Sequence, residues 1–164
     1  MRTLEILAKF CAVVAGVLLT AMTLMTCASL VGRNLLGKTI VGDFELSGAA
    51  AGAAIALFMP WCQVRRGHII VDFFTAKASE GTNAVLDRLG ALLLAVVAAL
   101  LAWRGSIGGW NAWTSGSGSM LLGFPEWIVY AVMVPPLVLT AAIGFWQAAA
   151  GFDREPAPDI EAAI

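Results

Sequence analysis

The chain has 164 residues, 60% of them hydrophobic and only 13% charged, with a mean hydropathy of +0.85 and a net charge of −1. Soluble domains are about one-quarter charged, and so short a chain cannot enclose this much apolar surface in a water-facing globule. An ordinary soluble enzyme is excluded, and so is a nucleic-acid binder, which needs a basic face.

A helix needs roughly 20 apolar residues to cross a hydrocarbon core of about 30 Å. The first such segment is predicted at residues 10–32, inside a run that carries no charge from Phe10 to Gly32. It reads as a retained span and not a cleaved signal peptide. Its apolar run exceeds the roughly 7–15 residues of a signal h-region, and no A-x-A site follows. Arg33 and Asn34 end it, and Gly37 and Gly42 permit a tight turn. The second span is predicted at 44–64. Arg33 and Glu45 then stand at facing ends of consecutive spans, which predicts an ion pair closing the first hairpin; two solvated interface charges are the alternative. Within "SGAAAGAAIA", Gly48, Gly52 and Ala56 recur every four residues. Lipid provides no hydrophobic drive between helices, so small residues that allow close backbone approach mark a helix contact.

"RRGHIIVDFF" follows, with Arg65, Arg66, the lone histidine His68, and Asp72. Arginines are expected where an inward-going helix meets cytoplasmic headgroups. Ile69, Ile70, Phe73 and Phe74 recur at helical spacing among polar residues, which predicts a short amphipathic helix over about 68–80. It is too short to cross and would lie in the interface with its phenylalanines towards the acyl chains. His68 and Asp72 are four apart, close enough to touch on such a helix. The functional reading is an interfacial elbow made by Arg65, Arg66, His68, Asp72, Phe73 and Phe74. The plainer reading is topological flanking plus a helix cap.

The third span is predicted at 85–113, with Asp87 and Arg88 at its start and Arg104 near its other end, where it can snorkel to headgroups. "TSGSGS", Thr114 to Ser119, reads as a flexible loop. Pro125 and Glu126 suit a helix start, and the fourth span is predicted at 126–150, with Pro135 and Pro136 expected to kink it. Residues 1–152 thus form one membrane domain, and the acidic, Pro-containing 153–164 reads as a disordered tail. The predicted fold is an all-α integral membrane protein: four transmembrane helices, with a short interfacial amphipathic helix between the second and third.

Arg2, Lys9, Arg65, Arg66, Lys77, Arg88 and Arg154 fall on one side of such a four-span chain, and Arg33, Lys38 and Arg104 on the other. Seven against three places both termini in the cytoplasm. Cys11, Cys27 and Cys62 form no C-x-x-C pair and read as small apolar packers. No cofactor or metal site is expected, because one histidine cannot gather a ligand set. No phosphate cradle occurs either. Three function classes stay open on the residues: a scaffold subunit of a transporter, a membrane anchor of a redox complex whose second chain supplies haem ligands, and an autonomous small carrier or channel.

The order of Arg33, the glycines leading to Glu45-Leu46, "RRGHIIVD" and "GFPEWIVYAVMVPP" resembles the DctQ-type small membrane subunit of tripartite ATP-independent periplasmic (TRAP) transporters, over nearly the whole chain. The resemblance implies a non-catalytic scaffold in the bacterial inner membrane. It also implies a large membrane subunit holding the sodium and substrate sites, and a periplasmic binding protein delivering an organic acid. Membrane lipids are the remaining partner.

Overall fold

The computed structural model describes residues 2–37, 40–65 and 80–150. Four helices account for nearly all of them: α1 (Arg2–Leu36), α2 (Asp43–Val64), α3 (Glu80–Ser115) and α4 (Trp127–Ala150). All four are long and apolar enough to cross a bilayer. The predicted interfacial helix, up to its last residue, and the tail at 153–164 lie outside the described residues.

Two helices outrun their apolar segments. α1 starts at Arg2 and has 35 residues, so it is roughly 52 Å long; α3 starts at Glu80 and has 36, roughly 54 Å. Their first three turns hold Glu5 and Lys9, and Asp87 and Arg88. Nothing breaks either helix at the hydrocarbon edge, so the backbone hydrogen-bond ladder continues past it. α4 likewise stays helical through Pro135 and Pro136. Pro136 is buried, and the fully buried Thr140 donates its hydroxyl to the Pro136 carbonyl at 2.8 Å.

The helices form a row, not a closed bundle. α3 packs on α4, α4 on α2, and α2 on α1, while α1 touches α4 only lightly and α3 touches neither α1 nor α2. Successive helices alternate direction, so the central pair α2 and α4 runs parallel. In their most apolar 18-residue stretches, 33% of residues are buried in α2 and in α4, against 17% in α3 and 6% in α1.

What fills the contacts is small. Ala15, Ala54 and Ala95 are fully buried, whereas Phe10, Leu93 and Trp103 stand more than 60% exposed. In water this order would be inverted. In lipid it is expected, because acyl chains solvate large apolar side chains and helices gain only by close approach. On α3 the seam is long: Ala91, Ala95, Ala98, Ala102, Gly105 and Gly109 alternate steps of four and three, the period that keeps one stripe facing one neighbour. α4 answers in antiparallel register. A Cβ on Gly144 would lie 2.9 Å from the Ala95 Cβ and 3.1 Å from the Ala91 carbonyl oxygen. Val134 packs at Gly105, and Tyr130 lies across Gly108 and Gly109.

Candidate functional site

A helix row with no enclosed core needs other devices to hold its geometry. Three polar latches join its elements, two of them across long separations in the chain.

The first is at the α1–α2 hairpin. Ser29, buried in α1, donates its hydroxyl to the Asp43 carboxylate at the start of α2. The predicted Arg33–Glu45 ion pair does not occur among the described residues. Glu45 is turned elsewhere, towards the loop between α3 and α4.

That loop makes the second latch. The N–H groups of Leu121 and Leu122 donate to the two Glu45 carboxylate oxygens at 3.0 and 3.3 Å. A carboxylate accepting two backbone N–H groups is a charge-assisted contact that needs no basic partner. The loop can present those groups because its own backbone hydrogen bonds close it into turns, a conformation its composition alone does not predict. Ser119 N–H donates to the Phe124 carbonyl at 2.9 Å, Gly123 N–H to the Ser119 carbonyl at 3.0 Å, and Glu126 N–H to the Ser117 carbonyl at 3.2 Å. Gly116 and Gly123 take φ of +63° and +62° to close these turns, a region costly for residues with a Cβ. Leu122 then sits directly on Gly42 (φ +80°), where any Cβ would overlap its side chain. So Gly42 serves as a seat for the far hairpin as well as the turn residue its sequence context predicts.

The third latch lies at the other end of the central pair. Gln63 Nε2 donates to Gln147 Oε1 at 2.7 Å, and Gln147 Nε2 donates back to the Gln63 carbonyl at 3.1 Å. Both glutamines are 5% exposed. A polar side chain buried between helices is cut off from water and must find its partner there. The only signal for this pair in the sequence is that each glutamine is the lone amide-bearing residue of its apolar run. Nothing local pairs one with the other across 84 residues.

The predicted packing residues divide. Ala56 is buried, and Gly52 faces Met133 of α4 with the Sδ atom 3.8 Å from where a Cβ would stand. Gly48 is exposed with nothing near it. Of the predicted interfacial elbow, Arg65 closes α2, and its guanidinium stacks 5.0 Å above the Trp61 ring. Arg66, His68, Asp72, Phe73 and Phe74 lie outside the described residues. At the opposite end Trp113 and Trp127 meet edge to face with centroids 4.7 Å apart. With Tyr130 they wall an apolar lateral cavity of about 360 Å³ between α3 and α4. Among the described residues no three His, Cys, Asp or Glu side chains converge on one point.

The family model described as tripartite ATP-independent periplasmic transporters, DctQ component, matches residues 22–153. The chain belongs to the DctQ family. No curated protein and no solved structure matches it. The matched stretch runs from mid-α1 to just past α4 and so contains all three latches of this DctQ chain. DctQ is the small membrane component of a transporter with further components, and this one is a multi-pass membrane protein. The latches fit such a component: they fix helices against one another.

Proposed function

We propose that this DctQ chain is the non-catalytic scaffold of a sodium-coupled importer in the bacterial inner membrane, with both termini in the cytoplasm. It braces a large membrane subunit that holds the sodium and substrate sites and moves as an elevator. A periplasmic binding protein delivers an organic acid to the pair. The observation that carries this reading is the placement of polar groups. The latches are spent on the chain's own helices, and the hydrocarbon-level residues offer no converging charges for an ion or an acid. Carriers place ionisable or broken-helix sites near the midplane.

Reconstitution tests it. Proteoliposomes holding this chain, a large TRAP membrane subunit that co-purifies with it and a periplasmic binding protein should take up organic acid only under an inward sodium gradient. Omission of any one component should abolish uptake. Flux through vesicles holding this chain alone would sink the reading, and so would a haem absorbance band in the purified chain.

The same reading gives the segment after α2 a role. Arg65, Arg66, His68 and Asp72, with Phe73 and Phe74, set the depth of the scaffold against the cytoplasmic headgroups and the large subunit. His68→Ala and Asp72→Ala should each lower recovery of the assembled complex and uptake. Unchanged assembly in both would leave those residues as ordinary flanking charge.

A further inference from the structure

The back of α3 is the feature that the latches do not explain. The small-residue seam faces α4, and neither α1 nor α2 covers any other side of the helix. At 3.6 residues per turn, Leu93, Val97, Leu100, Arg104, Ile107 and Asn111 share one stripe, displaced by roughly 160° from the α4 seam. All six are exposed. Neither Arg104 nor Asn111 has a side-chain partner among the described residues. A different side of the helix, bearing Leu92, Trp103 and Trp110, is wholly apolar and aromatic.

Arg104 is not at the helix end. Its neighbour Gly105 packs on Val134, so Arg104 lies at the level of the second turn of α4, about 10 Å inward from Trp127. A charged side chain that far inward, with Asn111 on the same stripe two turns further out at the aromatic level, points to a protein neighbour, since ionisable residues at such depth face protein or a cavity in membrane proteins. A second copy of this chain cannot neutralise the guanidinium there. Residues 10–32, 46–64, 89–103 and 127–152 contain no acid.

From this we infer that the Arg104 stripe of α3 is the face that docks the large membrane subunit, through a transmembrane helix of that subunit bearing a carboxylate opposite Arg104. The inference rests on the scaffold reading above. Charge complementarity fixes the register of the contact, and Leu93, Val97 and Leu100 supply its apolar half. Asn111 offers an amide to the partner's outer turn.

Site-specific photo-crosslinking in membranes containing both subunits tests it. Benzoylphenylalanine at Leu93 or Val97 should give an adduct with the large subunit, and at Leu92 or Trp110 should not. Arg104→Gln should lower recovery of the large subunit on the affinity-tagged small one by about five- to thirtyfold, with Arg104→Lys retaining most of it. Adducts of Leu93 and Val97 with phospholipid alone would overturn the docking face by showing that Arg104 snorkels to lipid phosphate. Adducts confined to Leu92 and Trp110, or undiminished recovery with Arg104→Gln, would overturn it too. In each of those cases wild-type co-purification keeps the scaffold reading. If wild type recovers no large subunit, both readings fall.

Discussion

The two hairpins are built on different terms. In α3–α4, glycine and alanine bring the backbones together along five turns, and the connecting loop is folded on itself. In α1–α2, the buried apolar cluster is small, Ala15, Ala54 and Leu57 with Cys11, Leu18 and Leu19 against it, and a side-chain hydrogen bond at the turn adds to it. The α3–α4 hairpin stands on packing and the α1–α2 hairpin depends more on a polar tether. The contrast shows that in lipid the length of a small-residue stripe measures helix association better than hydrophobicity does. α1 and α3 are both strongly apolar and differ nearly threefold in the fraction buried.

That contrast can be broken at its strongest point. Gly144→Leu pushes a branched side chain into Ala95 and the Ala91 carbonyl. It should cost about 2–3 kcal/mol, read as a fall in the reversible unfolding midpoint in detergent or as loss of monodisperse protein. A wild-type midpoint would mean that the α3–α4 seam is not close-packed. Next comes the tie between the hairpins. Gln147→Leu should destabilise by about 1–2 kcal/mol, whereas pairing it with Gln63→Leu should recover much of that loss, since two apolar groups need no partner. Additive losses in the double variant would argue against the pair. Ser29→Ala removes the donor to Asp43 and should cost about 1 kcal/mol. Amide exchange should show the opening confined to the last turns of α1 and the start of α2, leaving α3 protected. Uniform opening would erase the distinction between the hairpins. The smallest effect belongs to Gly48→Ala, expected within about 0.5 kcal/mol of wild type because the position faces open space. A larger change in the isolated chain would place a contact at Gly48 after all.

The membrane class and the four spans were legible because uncharged runs of this length have only one comfortable solvent. The α3 seam was missed: its alternating steps of four and three from Ala91 to Gly109 are in the sequence, but the packing prediction rested on Gly48, Gly52 and Ala56 of α2 alone. Glu45 illustrates what sequence cannot carry. Arg33 at the facing end of the preceding span is the opposite charge the hairpin suggests for it, yet its partners are backbone N–H groups 76 and 77 residues away. Those donors converge only after Gly116 and Gly123 have turned the loop. The "TSGSGS" composition reads as loose because glycine permits many conformations; here it is used for the few that close a turn. The glutamine pair is hidden for a related reason, since each residue alone is merely an oddity in an apolar run.

The parallel central pair is fastened at both extremities, by the Glu45 carboxylate at one face of the bilayer and by the amide exchange between Gln63 and Gln147 at the other. A beam pinned at two ends resists both axial slip and twist. Force applied to the flank of α3 would therefore be carried across α4 and α2 together instead of shearing one past the other, which is the mechanical property wanted of the stationary side of a machine whose other side must travel.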